Sequence, residues 1–509
     1  MKLPAAIARL AILLALPMAS GAGAVNGVPV GQQPLTLDYD LVYRSGVLGQ
    51  DWSLLPPAGP LDVEWFRQLR DVRVTPALGM CEGDNPDAVR IFALGSERWR
   101  VERRYHGDDL PSFRGGFAWR PEKYCGVLVS ADVDRAKALD PAYTGKKYHG
   151  LTGDLETAAL FFRTGNVAVT IGRLRSFWGP QRVNLLISET AEPLDLLSLA
   201  YGKGRLTFNF LFARLDQSRP DSADFIRFPG RTFNDNRYLA AHRLDLRLHH
   251  RLRLGLFEAV IFGGEGRSPE LYYLNPLHFF HAAQLNNKVD DNTIVGLDLT
   301  ILPGKGILVY GQLLVDDLQI DDKSQGDQEP NEFGVMAGLF RAGQIGSLAA
   351  DAKLEYTCIT NRTYHQRDPR NRYLYRDRPL GHPLGPDADS LSVTARLWPR
   401  STMFAEIELA YRRHGEGSLH TPWDESWMAV EGGYDEPFPT GVVEKSLLIA
   451  IRSQGYLPLG DYARRHFYFS LDAGWGNITN AGHSVGRSTT VARIDMILTW
   501  LGFTDISID

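Results

Sequence analysis

Polar and apolar residues alternate strictly along many segments of this chain, and this pattern constrains its fold more than any other feature. In the segment AADAKLEYTCIT, Leu354 and Tyr356 fall on one parity, whereas Asp351 and Glu355 fall on the other. A period of two indicates a β-strand, because successive side chains of a strand point to opposite faces. The charged face needs water or ionic partners. The segment therefore belongs either to a half-solvated sheet on a soluble core or to a membrane-spanning barrel with a polar interior.

The same alternation recurs along most of the chain. Further examples are GRLTFNFLFARLD, AHRLDLRLHH, TIVGLDLTIL, STMFAEIELAYRR, RHFYFSLDAGW and VARIDMILTW. Each has about ten residues, the length that a tilted strand needs to cross a bilayer. Short connections alternate with long polar ones such as NRTYHQRDPRNRYLYRDRPLGHPLGPDAD. At about 45 residues per hairpin, residues 111–509 are predicted to form a large antiparallel transmembrane β-barrel of about 18 strands.

The first 24 residues have the pattern of a secretory signal peptide. Basic residues precede the apolar run Leu10–Met18, and the small residues Ala22 and Ala24 form a cleavage motif. The apolar run is too short to cross a hydrocarbon core of about 30 Å. Residues 1–24 are therefore predicted to be removed on export.

Residues 25–110 are predicted to form a small mixed, largely helical region in the periplasm. Asp62 and Ser96 are candidate N-caps before the helical patterns of PLDVEWFRQLRDV and SERWRVERRY. The alternative is an ordinary N-terminal helical layer of a globular protein.

Charge and cysteine content exclude several functions. A formal net charge of −5 gives no reason to expect a nucleic-acid partner. None of the three cysteines forms a C-x-x-C motif, so zinc-ribbon and thioredoxin-like chemistry are not indicated. A disulfide between Cys81 and Cys125 and two free thiols are both compatible with the sequence. Cys358 falls on the apolar parity of a strand, which predicts an inert thiol.

Several segments resemble the Wzi-like capsule-assembly proteins of the outer membrane. The first is GRLRSFWGPQRVNLLISETAEPLDLLSLAY, Gly172–Tyr201. The others follow in the family's order: AHRLDLRLHHRLRLGLFEAVIFGG, YYLNPLHFFHAAQLNNK, YGQLLVDDLQID, and TNRTYHQ with GHPLGPDADSL. The chain departs from the usual pattern of outer-membrane barrels because it ends GFTDISID rather than on an aromatic residue.

The resemblance implies an outer-membrane β-barrel with a periplasmic helical part. It implies a lectin that attaches capsular or extracellular polysaccharide to the cell surface and uses no cofactor. The expected partners are that polysaccharide, outer-membrane lipid and the barrel-assembly machinery. The expected location is the outer membrane of a Gram-negative-type bacterium, reached through a cleaved signal peptide.

Glycan binding requires planar polar groups and aromatic faces, and an acidic glycan also favours arginine. The long polar loop after Thr360, interpreted as external, has this composition. Its candidate glycan contacts are Arg362, Tyr364, His365, Arg367, Arg370, Arg372, Tyr373 and Arg376. A solvated loop without a ligand is the alternative.

A second group of residues is predicted to lie in the lumen or barrel wall. Its members are Arg173, Arg175, Trp178, Arg182, Glu258, Asp316 and Asp317. Facing basic and acidic rows would neutralise one another and stiffen the wall, and Trp178 fits a structural turn better than a sugar platform. The acidic run ending at Asp322 lacks the glycine and spacing of an EF-hand loop, so no metal site is predicted.

Two other functions remain open from the sequence. A porin-like channel for oligosaccharides or anions would also use charged rows in its lumen. A hydrolase would need a nucleophile and a base in contact, but His466 and Ser470 on one strand are separated by about 13 Å. The chain contains no H-E-x-x-H or G-x-S-x-G motif, so it is predicted not to be an enzyme.

Overall fold

The computed structural model describes a subset of the residues, in segments that cover most of the chain after residue 86. They are residues 40, 43–44, 47–50, 59–60, 87–102, 105–122, 124–140, 143–318, 328–400, 402–430, 434–458 and 465–507. The predicted signal peptide, the helix predicted after Asp62 and Cys81 lie outside them. No helix among the described residues has the length and hydropathy needed to cross a membrane.

Eighteen antiparallel strands close into one barrel. The first nine are β1 Ala88–Glu102, β2 Ser112–Glu122, β3 Cys125–Asp134, β4 Leu151–Thr164, β5 Val167–Leu174, β6 Leu194–Lys203, β7 Leu206–Leu215, β8 Asp235–His249 and β9 Leu252–Glu265. The other nine are β10 Asn292–Gly304, β11 Ile307–Asp317, β12 Glu332–Ile345, β13 Leu348–Ile359, β14 Ala388–Arg400, β15 Met403–His414, β16 Glu444–Pro458, β17 Arg465–Thr479 and β18 Ser488–Ser507. Each strand pairs with its neighbours in sequence, and β18 closes the barrel by pairing with β1, so none of these eighteen described strands has an open edge.

Shorter elements lie in the connections. The helices are α1 Arg135–Ala138, α2 Ser222–Arg227, α3 Leu271–Leu274 and α4 Phe280–Asn287, and 3₁₀ turns occupy Pro369–Asn371 and Ser426–Ala429. Short paired segments are Tyr105–Asp109 beside β1, Lys147–Tyr148 beside β4, Gly59–Pro60 with Ser176–Phe177, and Leu374–Tyr375 with Arg378–Pro379.

The two ends of the barrel differ in the length of their connections. Two-residue turns follow every even-numbered strand from β2 to β14, and we call their side the turn end. The long connections follow the odd-numbered strands on the opposite side, which we call the loop end. The difference in connection length therefore distinguishes the two ends of the barrel.

The barrel wall has an apolar outer face and a polar inner face. On β13, Asp351 is 6% exposed and points inward, whereas Leu354 is 45% exposed and points outward. Asp351 accepts a hydrogen bond from the Trp398 indole (2.5 Å) and lies 3.7 Å from the Arg44 guanidinium. Ion pairs and hydrogen bonds inside the barrel thus satisfy the charged parity, and the predicted antiparallel barrel is confirmed.

One local prediction is wrong. The segment predicted to begin a helix at Ser96 lies inside strand β1, which starts at Ala88 rather than after residue 110. β1 must pair along its whole length with β18 to close the barrel, and Arg98 is buried there against Asp495 (3.0 Å). This tertiary pairing overrides the local helical pattern.

A short helical segment of the predicted N-terminal region lies inside the barrel. Residues 43–44 and 47–49 are helical, and the buried Tyr43 ring meets Phe340 edge-on at 5.1 Å. The backbone N–H of Gly306, in a two-residue turn, donates to the Val47 carbonyl (3.2 Å). These contacts place the segment at the turn end of the lumen.

Candidate functional site

Two long loops from the loop end fold into the barrel, and together we call them the plug. They are residues 175–193, between β5 and β6, and residues 360–387, between β13 and β14. The side chains of Trp178, Leu186 and Tyr364 have no exposed surface. The plug therefore lies in the lumen enclosed by the barrel wall and does not project from the barrel.

The two plug loops are bound to each other and to the wall. The Ser188 N–H donates to the Leu380 carbonyl (2.8 Å), and the Tyr364 hydroxyl donates to the Leu185 carbonyl (2.5 Å). The Leu185 N–H donates to the Gln312 amide oxygen on β11 (2.8 Å). These bonds satisfy polar backbone groups that burial removes from water, which stabilises the plug in one position.

The loop after Thr360 was interpreted as external, and the structure corrects that interpretation. Five of its candidate contacts are buried in the plug: Arg362, Tyr364, His365, Arg372 and Tyr373. Carboxylates make the burial of the arginines tolerable, because Arg362 pairs with Glu436 (2.5 Å) and Arg372 with Asp224 (3.0 Å). These five side chains are therefore closed to solvent in this structure.

The plug contains a histidine that is held neutral. The His365 ring is 3% exposed, and its Nε2–H donates to the Thr421 carbonyl (2.8 Å). Burial, reinforced by the nearby Arg372 guanidinium, lowers the pKa of His365 to about 3. The undocked loop has an ordinary histidine pKa of about 6.5. Below pH 6.5 the undocked loop therefore binds a proton at His365, whereas the docked loop does not.

We expect acid to loosen the plug through His365. The contribution of neutral His365 to the docking free energy of the loop is fully present above pH 6.5. Between pH 6.5 and pH 5 it should fall by about 2 kcal/mol, at about 1.4 kcal/mol per pH unit. Hydrogen exchange of residues 360–387 should therefore be faster at pH 5 than at pH 7 after correction for intrinsic rates. His365→Gln, which cannot titrate, is the control. Equal pH dependence in both proteins would contradict the assignment.

The other three candidate residues of this loop lie nearer the surface. Arg367 has a side chain 62% exposed, 3.5 Å from Glu425, and Arg370 lies 3.3 Å from the Asp368 carboxylate. Arg376 lines an open cleft. This cleft becomes the candidate site.

The cleft has a volume of about 620 Å³ and opens at the loop end. Its walls come from the connection after β3, the start of β4, the connection after β7 and the plug. Its main polar residues are Tyr143, Lys146, Asp154, Asp216, Arg219 and Arg376. Backbone and small side chains of Thr144, Gly145, Gly153, Gln217 and Ser218 complete the lining.

Two carboxylates organise the charges of the cleft. Asp154 lies 2.6 Å from Lys137 Nζ and 3.4 Å from Arg376 Nη1. Asp216 accepts a hydrogen bond from the Arg376 backbone N–H (3.1 Å) and lies 4.0 Å from Arg219 Nε. Although burial opposes it, the carboxylates of Glu192 and Asp154 keep the pKa of Lys137 above its usual value. The cleft thus offers fixed donors and acceptors side by side.

Arg376 is presented at the tip of a tight hairpin within the plug. Leu374–Tyr375 pairs with Arg378–Pro379, and the two residues between them, Arg376 and Asp377, have φ values of 48° and 64°. Two-residue turns of this kind favour asparagine and glycine, because other residues are strained at positive φ. Aspartate also occurs in such turns, but Arg376 occupies this one against the backbone preference, and strain of this kind is frequent at functional sites.

Three of the seven residues predicted to lie in the lumen or wall form ion pairs near the plug. Arg175 is buried and lies 2.7 Å from Glu156, and Arg182 lies 3.2 Å from Glu189. Arg173 pairs with Asp195 (2.9 Å) at the loop end of β5 and is 3.9 Å from Asp154 of the cleft. Trp178 is fully buried in the plug, Asp316 accepts from the Tyr364 N–H (2.5 Å), and Asp317 ends β11.

Glu258 lies in the barrel wall, one of the two places predicted for it, but it faces outward rather than into the lumen. On β9, Phe257 and Ala259 pack in the lumen cluster, and Glu258 therefore points outward. Its carboxylate accepts hydrogen bonds from the N–H groups of Phe280 (2.9 Å) and His281 (2.8 Å) at the start of α4. The bonds from α4 let a charged side chain break the apolar parity of the outer face.

Sequence reasoning missed most of the cleft. Tyr143, Lys146, Asp154, Asp216 and Arg219 come from two different connections and from strand β4, and they adjoin one another only in the closed barrel. The one local signal was Arg376 in the turn between Tyr375 and Arg378, because arginine is not among the residues that favour such turns. The disulfide stays a prediction, since Cys125 is a half-buried free thiol among the described residues and Cys81 lies outside them.

A closed antiparallel barrel with an apolar outer face and a paired, charged interior is the architecture of an outer-membrane protein. In such barrels the short turns face the periplasm and the long loops face the exterior, so the cleft opens outside the cell. The family model of the capsule assembly protein Wzi matches residues 105–454. The chain therefore belongs to the Wzi family of capsule assembly proteins, as the sequence resemblance indicated.

Two solved structures are similar to this chain. Wzi of Escherichia coli, an outer-membrane, carbohydrate-binding β-barrel involved in group 1 capsule assembly, is 14% identical, with a TM-score of 0.59 over 92% of this chain and 98% of its own. OccD3 of Pseudomonas aeruginosa is 10% identical, with a TM-score of 0.47 over 85% of this chain and 97% of its own. No curated protein sequence matches this chain. At these identities, the likeness to Wzi shows the fold alone.

Proposed function

We propose that this protein is a non-enzymatic lectin of the cell surface that binds capsular or extracellular polysaccharide and holds it at the outer membrane. The observation that carries the proposal is the polar cleft around Arg376, which opens outward from a barrel whose lumen holds a packed plug. Membership of the Wzi family supports it. Its partners would be the polysaccharide, outer-membrane lipid and the barrel-assembly machinery, and export would use the cleaved signal peptide.

The chemistry of the cleft suits a sugar. Neighbouring hydroxyls of a sugar can donate together to a carboxylate such as Asp154 or Asp216, and a guanidinium can donate two parallel bonds to a sugar carboxylate. The half-buried Tyr143 offers a ring against the apolar C–H surface of a pyranose. The existing ion pairs hold these groups in place before a ligand arrives, which limits the entropic cost of binding.

The plug makes a porin-like channel the weaker alternative. Fully buried Trp178, Leu186 and Tyr364 occupy the lumen of the barrel, and side-chain and backbone bonds join both plug loops. An open channel would require these contacts to break. Purified protein in a planar bilayer is therefore expected to show little steady conductance at neutral pH.

Replacing Arg376 by Asn should weaken polysaccharide binding. Asparagine tolerates positive φ, so the hairpin should keep its shape while the guanidinium is lost. A hydrogen bond to a charged group contributes about 1.5–3 kcal/mol, which corresponds to a rise in Kd of about 10–100-fold. The measurement is calorimetric titration of the folded protein in detergent with polysaccharide isolated from its own cells.

Arg367→Ala is the matched control, because Arg367 belongs to the same loop but is exposed outside the cleft. It should leave the Kd unchanged. Wild-type affinity in Arg376→Asn, with intact heat-modifiable migration, would remove the cleft from the proposal. No saturable binding by the wild-type protein would contradict the lectin function itself.

A further inference from the structure

The connection between β9 and β10 lies outside the barrel. We call residues 266–291, which include α3 and α4, the external loop. Its side chains Tyr273, Phe280 and Ala283 are buried in one cluster with Phe210, Val260 and Phe262 of the wall. Phe262 and Val260 share the parity of Glu258, which is opposite to the lumen-facing Phe257, so this cluster lies on the outward face.

The external loop descends to the middle of the wall. Glu258, which accepts from the first N–H groups of α4, lies midway along β9. On the adjacent strand β10, Val295 is paired directly with Glu258. Val295 points to the same outward face and is 41% exposed. The start of α4 is therefore level with a residue of the barrel's apolar outer belt.

The side of the external loop that faces away from the barrel is also apolar. Leu271, Leu277, Phe279 and Leu285 are 83%, 79%, 72% and 64% exposed. They adjoin the outer belt, in which Leu256, Val295 and Leu297 are each about two-fifths exposed. Four large apolar side chains at such exposure would be unfavourable in water, whereas hydrocarbon stabilises them.

We propose that the external loop is embedded in the outer leaflet and that Leu277, Phe279 and Leu285 contact lipid acyl chains. The occupant is lipid because the patch continues the lipid-facing belt at the same height on the wall. This placement also accounts for Glu258. A carboxylate on the lipid side of a barrel is costly unless it is paired, and two N–H groups of α4 together with His242 Nε2 (3.1 Å) surround it.

Spin labelling tests the proposal directly. Cys81, Cys125 and Cys358 are replaced by Ser, and a single nitroxide is attached at Leu277→Cys or Leu285→Cys in protein reconstituted into phosphatidylcholine vesicles. Oxygen concentrates in hydrocarbon, whereas a nickel chelate stays in water. Leu297→Cys in the barrel belt is the lipid standard. Val485→Cys is the aqueous standard because Val485 lies in the loop-end connection after β17, beyond the wall. Its exposure, 83%, is close to the 79% of Leu277.

Labels at Leu277 and Leu285 should be relaxed by oxygen more than by the nickel chelate, as at Leu297, and the label at Val485 should show the reverse. Relaxation like that at Val485 would overturn the proposal. Protection from both reagents would also overturn it, because the patch would then be covered by another protein, including a second copy of this chain. Heat-modifiable migration shows that each labelled barrel is folded. None of these outcomes depends on glycan binding.

Discussion

Replacing Arg243 by Leu is expected to destabilise the barrel by about 3–5 kcal/mol, because two buried carboxylates would lose the guanidinium that contacts them both. Arg243 on β8 is 1% exposed and points into the lumen. Its guanidinium lies 2.6 Å from Asp245 and 2.5 Å from Asp298 on β10. The measurement is the free energy of unfolding from urea titration of the reconstituted barrel.

The ion-pair cluster requires a position without a side chain in the intervening strand β9. Gly255 of β9 is paired with Asp245 on one side and Asp298 on the other. A Cβ at Gly255 would overlap the Arg243 guanidinium, so only glycine lets the side chain cross β9 to reach Asp298. Gly255→Ala should therefore also destabilise the barrel.

A triple variant shows whether stability is lost because the carboxylates lack a counter-ion or because the packing of the Arg243 side chain is lost. Arg243→Leu combined with Asp245→Asn and Asp298→Asn removes the charges together, and it should recover much of the stability lost by Arg243→Leu alone. If Arg243→Leu unfolds at the same urea concentration as the wild type, the carboxylates must be satisfied by water or by another cation. The cluster would then have no structural role.

The barrel was predictable from sequence because one physical rule acts on every strand. The side-chain period of two and the need for an apolar outer face act on each strand separately, so Asp351 and Leu354 are placed correctly without knowledge of any neighbour. The strand number followed from length alone. The helix predicted at Ser96 failed because β1 is defined by its pairing with β18, far away in the sequence.

The plug and the external loop were not predictable by the same reasoning. Nothing in the local composition of residues 360–387 distinguishes an arginine that meets solvent from one that pairs with a distant carboxylate. The burial of Arg362 and Arg372 depends on their ion pairs with Glu436 and Asp224. These carboxylates belong to other connections, so the local sequence does not indicate them. Glu258 broke the outward apolar parity because helix α4 supplies its hydrogen bonds. Of the candidate glycan contacts, Arg376 alone lines the cleft.

Leu354→Arg should impair assembly of the barrel. Leu354 lies near the middle of β13, 45% exposed, and is flanked on the outward face by Leu339 and Val393. An arginine at the bilayer midplane of a β-barrel costs about 2–4 kcal/mol, because its charge must leave water or distort the bilayer. The free energy of unfolding from phosphatidylcholine vesicles, by urea titration, measures this cost.

Leu348→Arg is the matched control on the same strand and the same face. Leu348 follows the two-residue turn and is 41% exposed, close to Leu354 in exposure but at the edge of the wall. Its charge can reach the interface, where the same substitution costs about 0–1 kcal/mol. The difference between the two variants isolates depth in the membrane from loss of leucine. Equal stability of both variants would mean that Leu354 faces water, and the outer face of the barrel would have to be reassigned.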